Sequence, residues 1–210
     1  MNILLMDGLP EEYEGIPISP DFRNMIQADL CLHDEEFTPY ERTMAALNLL
    51  YPQIPSDSEL AVAGFNWFFT RGHVDDAPGS AAAQRKPFDF TQDADILYES
   101  FYEAYGARLS EIDYMHWWEF MALFERLPEK TLMRRVMYWR TVDMGKLRKE
   151  EKKHVSEMRN IYALKGPQLP PMSAEELAQH TKDKAARRLA EAKRIAAERR
   201  QKNEKADQKV

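Results

Sequence analysis

The chain has 210 residues, 44% hydrophobic and 30% charged, with a formal net charge of −6. That allows one domain with a sizeable core, alone or with an appendage. It holds no apolar run of about 18 residues, so no membrane-spanning helix is expected, and its single cysteine, Cys31, excludes an internal disulfide and fits a reducing compartment.

The net charge conceals a gradient. Residues 1–80 carry 14 acidic and 3 basic side chains, whereas residues 173–210 carry 7 acidic and 11 basic ones. An acidic front and a basic tail point to charged partners or to contact between copies, against the plainer reading of two solvated surfaces.

Strand signal is confined to Met1–Leu5 and Gly15–Ile18, which allows a small N-terminal β-hairpin. No basic residue precedes the first apolar run and no small-residue cleavage site follows it, so the segment does not read as a signal peptide. Helix starts are then unusually legible. Ser19 caps a helix with Pro20 at its first position and a face of Phe22, Met25, Ile26 and Leu30. Thr38 and Glu41 form a capping box around Pro39 and open a helix through Met44, Leu47 and Leu50, stopped by Pro52. Ser56 and Glu59 form a second box before Leu60, Ala63, Trp67 and Phe68.

Residues 71–87 hold Gly72, Pro78, Gly79 and Pro87 without any period, and read as an exposed loop or hinge. A helix follows from Thr91–Asp93, with Ile96, Leu97, Phe101 and Tyr105 at helical spacing and Gly106 at its end. Ser110 is expected to cap a central aromatic helix over 110–127, ended by Pro128. Its residues 113–127 carry only four charges and are apolar on almost every side, as in a buried helix. His116, Trp117, Trp118, Phe120 and Phe124 are therefore expected in the core. Leu132, Val136, Met137 and Trp139 mark another helix. Gly145 breaks it from the charged segment 146–165, whose C-terminal half can dock through Val155, Met158 and Tyr162. Gly166-Pro167 and Pro170-Pro171 stop that segment. Ser173–Glu176 opens an Ala/Lys/Arg/Glu-rich tail with little to bury, either helical or disordered when alone.

The expected fold is mainly α. Two helical groups, 1–70 and 88–166, are joined by the loop 71–87 and packed around helix 110–127, with a proline break and basic extension over 167–210.

Catalytic and metal chemistry leave little trace. No two of the five histidines stand three or four residues apart, Cys31 has no partner, and neither a glycine-rich phosphate loop nor a nucleophile elbow occurs. His33-Asp34-Glu35-Glu36 resembles a metal run only in composition. His116 stands three residues from both Asp113 and Glu119, on the same helical face, and a histidine held by a carboxylate can be a catalytic base. No nucleophile accompanies it, and a structural histidine held by a carboxylate or backbone group is the better account. No enzyme, cofactor or metal is expected. The basic pairs Arg187-Arg188, Lys193-Arg194 and Arg199-Arg200 are the candidate partner-binding residues. Glu191 and Glu198 interrupt them and no aromatic intervenes, so nucleic acid is not the expected partner.

A set of ordered elements runs through the body of the chain. It begins with Leu9-Pro10, Asp21-Phe22-Arg23 and Ile54-Pro55. It continues with Trp67-Phe68 before Gly72, Phe88-Asp89-Phe90, Ser100-Phe101 and Tyr105-Gly106. It closes with His116-Trp117-Trp118-Glu119-Phe120, Leu127–Thr131 and Arg140. In order and spacing, the chain resembles the bacteriophage Gp-fifteen family over roughly residues 3–165; the tail after Gly166 lies outside that pattern. The resemblance implies a mostly helical phage protein from the tail module, similar to tail assembly chaperones. These hold the tape-measure protein, help recruit tail-tube protein, and act in the host bacterial cytoplasm. It implies no catalytic residues. The alternatives are a structural virion component of the tail or connector, and a nucleic-acid-associated accessory protein using the basic tail. Self-association of acidic front with basic tail is a further expectation.

Overall fold

The computed structural model describes residues 8–73, 86–165 and, in the tail, 186, 187, 189–191, 193, 194 and 197. The body is mainly helical, with seven α-helices and one two-stranded hairpin among the described residues. None of these helices is long and apolar enough to cross a membrane. The body forms two compact units. One comprises residues 8–73 with 114–120, the other 86–113 with 121–165. The sequence groups all of 88–166 together, whereas residues 114–120 belong with the N-terminal helices.

The first unit opens with β1 (Glu12–Tyr13) paired antiparallel to β2 (Ile16–Pro17). The two turn residues, Glu14 and Gly15, have φ of 49° and 75°. Left-handed backbone at both positions is what a tight two-residue hairpin requires. The hairpin thus uses one of the two expected strand segments but pairs it with its immediate neighbour; Met1–Leu5 lies outside the described residues.

Helix α1 (Phe22–Leu32) is capped by Asp21, whose carboxylate accepts the Arg23 N–H at 2.9 Å, and not by Ser19. The Pro20 carbonyl is engaged elsewhere, accepting the Trp117 N–H at 2.8 Å, and Asp21 pairs with His116 in an isolated antiparallel bridge. That pairing holds the chain extended through residue 21 and delays the helix. Helix α2 (Pro39–Leu50) has the expected Thr38/Glu41 capping box and Pro39 in its first turn. Helix α3 (Ser58–Phe69) starts one residue later than the sequence box predicts. Asp57 is the cap, accepting the Glu59 and Leu60 N–H groups; its carboxylate accepts two donors at once, which the Ser56 box would not offer. Met25, Ala28, Ala45, Leu50, Ala61 and Phe68 are fully buried between these helices. Buried Tyr51 donates its hydroxyl to the Ala61 carbonyl at 3.0 Å. Gly64 lies so close beneath Tyr51 and Tyr13 that any Cβ there would collide with the Tyr51 hydroxyl and the Tyr13 ring.

In the second unit, α4 (Ala94–Tyr105) ends at Gly106, whose φ of 65° is the left-handed cap that the sequence expects. Helix α6 (Leu132–Thr141), a 3-10 turn at Met144–Lys146 containing Gly145, and α7 (Lys149–Ile161) follow. Val136, Trp139 and Val155 form their core, flanked by Ile96, Leu132, Met158 and Tyr162. Arg140 ties this unit together. Its buried guanidinium forms a two-pronged ion pair with Asp93 at 2.6 and 2.8 Å and also donates to the Pro87 and Tyr162 carbonyls.

Helix α5 is Trp117–Glu125, not 110–127. Residues 108–111 turn, and the Met115 carbonyl and Trp117 N–H bond the Phe22 N–H and Pro20 carbonyl on either side of the Asp21–His116 bridge. Those backbone groups are committed to an extended ladder, so the helix cannot begin before Trp117. The chain passes from the first unit to the second within α5.

Candidate partner-binding surface

His116 sits where α5 begins. Its carbonyl accepts the first helical bond, from Phe120 N–H, and its ring Nδ1 lies 3.0 Å from the Trp118 N–H. A backbone N–H can only donate, so Nδ1 carries no proton. Nε2 then donates to the Pro10 carbonyl at 3.0 Å. His116 is therefore a neutral helix cap with both ring nitrogens in use. Burial pushes its pKa below the ordinary value, against smaller opposing pulls from the Pro10 carbonyl and Glu11. The carboxylate pairing drawn from sequence spacing requires Asp113, His116 and Glu119 on one helix; the helix starts after His116, and backbone groups hold the ring instead. Ser110 is not a cap, its hydroxyl lying 3.2 Å from that of Tyr98.

Trp117 and Trp118 are buried, and their indole N–H groups donate to successive carbonyls, Phe69 at 3.0 Å and Phe68 at 2.9 Å. Those are the last two carbonyls of α3, beyond its regular ladder, and that of Phe68 also accepts the Arg71 N–H at 3.1 Å. The tryptophan pair is thus a C-terminal cap as well as packing. Phe120 stacks on Phe22 with ring centres 4.7 Å apart, and Phe124 lies edge-on to Phe88 at 4.8 Å in the second unit. None of these rings is offered to a partner.

The basic pairs of the tail stand differently. Arg187, Lys193 and Arg194 are helical and exposed, with Glu191 4.0 Å from Arg194. Arg188, Arg199 and Arg200 lie outside the described residues.

The surface that does stand out is on α4. Tyr98, Tyr102 and Tyr105 are 36%, 51% and 38% exposed. Their spacing of four and three residues places them along one side of the helix. Asp95, Glu99 and Glu103, all exposed, run beside them, and α4 contains no basic residue. Its aromatic rings are held in place: Tyr105 donates to the Leu123 carbonyl at 2.8 Å, and the Arg108 guanidinium lies 5.5 Å from the Tyr102 ring centre. Lys130 reaches Glu103 at 3.4 Å. Anchored aromatics interleaved with carboxylates can pack on an amphipathic surface and stack against its cations. Sequence reasoning assigned Tyr105 to the buried face and did not single out Tyr98 or Tyr102. The available signal was two tyrosines four residues apart, each one position after Leu97 and Phe101 and so at the edge of the buried face beside the acids. Among the described residues no group of three His, Cys, Asp or Glu side chains could hold a metal ion.

A family described as "Bacteriophage Gp15 protein" matches residues 5–164. The chain belongs to that bacteriophage Gp15 family. No curated protein and no solved structure matches it. The Gp15 match spans both compact units and stops before the basic tail. Membership makes this a phage protein of the structural or assembly kind.

Within the Gp15 region the first unit is strongly acidic. Beside Glu11, Asp21 and Glu119, the Tyr114 hydroxyl is pushed up to about 12, by burial first and then by those carboxylates. The α4 stripe and this acidic unit both favour cationic partners.

Proposed function

We propose that this Gp15 protein is a non-catalytic tail assembly chaperone. It acts in the host bacterial cytoplasm, holds helical segments of the tape-measure protein, and helps bring tail-tube subunits to them. The observation that carries the reading is the α4 stripe: three exposed tyrosines flanked by three carboxylates, on a helix without a basic residue. Such a stripe is complementary to an amphipathic helix with a basic flank, and helix-on-helix docking is read by side chains at that three-and-four spacing. Tyrosine supplies large contact area at low entropic cost.

The test is co-expression of the tagged full-length protein with the tape-measure protein of the same phage. Wild type is expected to co-purify with it. Tyr98→Ala/Tyr102→Ala is expected to weaken capture by about tenfold or more, with an unchanged circular dichroism spectrum. Equal capture by the variant would remove α4 as the contact surface. Absence of any complex with wild type, together with recovery of the protein in purified virions, would replace the chaperone by a structural component.

A further inference from the structure

The second unit carries a cleft of about 480 Å3 lined by Pro87, Glu129, Arg134, Arg135, Met137 and Tyr138. It opens on the exposed side of α6. Arg135 is placed by its guanidinium lying 4.9 Å from the Trp139 ring centre, and Tyr138 is 49% exposed. Among the described residues no carboxylate pairs with Arg134 or Arg135, although Glu129 lines the same cleft. Two guanidinium groups beside a phenol and an apolar floor form a receptor for carboxylates carried on a partly apolar segment.

A segment of that kind exists in the chain itself. The hairpin in the first unit exposes Glu11, Glu12 and Glu14 around a two-residue turn, with Ile16 and Pro17 on its return strand. Charge favours the match beyond these residues. Residues 8–73 hold eleven acidic and three basic side chains, whereas residues 131–165 hold ten basic and four acidic ones. A tight turn is convex and fixed in shape, so little ordering is lost when a cleft receives it.

We propose that the α6 cleft receives the Glu12–Gly15 hairpin turn of a second copy, with Glu12 and Glu14 on Arg134 and Arg135. The two surfaces differ, so the contact is heterologous: each copy offers a hairpin to one neighbour and a cleft to another, and copies add head to tail. The basic partner of the acidic front is then in the folded body and not in the tail. The proposal does not depend on the chaperone role.

Sedimentation velocity of the full-length protein over a concentration series tests this, at low and at raised salt. Wild type is expected to grow heavier with concentration, less so at raised salt. Arg134→Glu/Arg135→Glu and Glu12→Lys/Glu14→Lys are each expected to associate at least about tenfold more weakly. An equimolar mixture of the two variants is expected to regain association, because the intact cleft of one meets the intact hairpin of the other. Circular dichroism checks folding, and Arg134→Gln/Arg135→Gln replaces the reversed variant if that one does not fold. A wild-type monomer at every concentration overturns the proposal, as do variants that associate like wild type or a mixture that stays monomeric.

Discussion

Helix α5 and helix α4 both carry closely spaced aromatics, and they use them in opposite ways. The two tryptophans of α5 are buried and spend their only polar groups on the end of α3. The tyrosines of α4 leave their rings open to solvent, fixed from the side by Arg108, Ser110 and the Leu123 carbonyl. Aromatic density alone therefore does not separate core from contact surface. The destination of each polar atom does: an indole N–H that ends on a buried helix-end carbonyl is structural, and a phenol ring among exposed carboxylates is available to a partner.

Substitution at the two helices should separate them cleanly. Trp118→Ala is expected to cost about 3–5 kcal/mol in denaturant unfolding, since it opens a cavity and strips the Phe68 carbonyl of a donor. Tyr98→Ala or Tyr102→Ala should cost about 1 kcal/mol, well below that. Equal costs at the two helices would abolish that distinction.

Arg140 sharpens the same point for charge. Both it and Asp93 are buried, so Arg140→Met should destabilise by about 3–5 kcal/mol by leaving the carboxylate without its partner. Asp93→Leu/Arg140→Met should recover a substantial part of that loss in the same unfolding measurement. A double variant as unstable as the single one would mean that the carbonyl bonds to Pro87 and Tyr162 matter more than the ion pair.

A smaller effect than at Trp118 or Arg140 concerns His116. Its pKa is lower folded than unfolded, so near its ordinary value of 6.5 the unfolded chain binds a proton that the folded chain refuses. Its contribution is therefore complete above that pH and is lost as pH falls through the folded value. Thermal melts from pH 8 to 5 should show this decline. His116→Gln should cost about 1–3 kcal/mol at pH 8 and flatten the His116 part of the slope. An unaltered slope would assign the decline to other groups.

Much of this was legible in the residues. The Thr38-Pro39-Tyr40-Glu41 box, the Gly106 stop and the breaks at Pro52 and Gly145 are local signals, and each appears at its expected place because capping involves only neighbours in sequence. The starts of α1, α3 and α5 were displaced for different reasons. Asp57 outcompeted Ser56 locally. Residues 20–22 and 115–117 are held by each other across nearly a hundred positions, and no sequence window contains both. A histidine cap also escapes a search for Ser, Thr, Asp and Asn. The α4 stripe was missed because tyrosine counts as apolar when a buried face is sought.

Composition and period thus determined by themselves that the chain is helical, where most helices stop, and that His116, Trp117, Trp118, Phe120 and Phe124 are interior. The ordered motifs carried the family. Tertiary structure decided which groups those interior residues satisfy: His116 between Pro10 and Trp118, the indoles on the end of α3, Arg140 on Asp93. It also decided which aromatics remain outside. Helix formation is settled by neighbours in sequence, whereas the pairing of a buried polar atom is settled by whatever distant backbone the fold brings within about 3 Å.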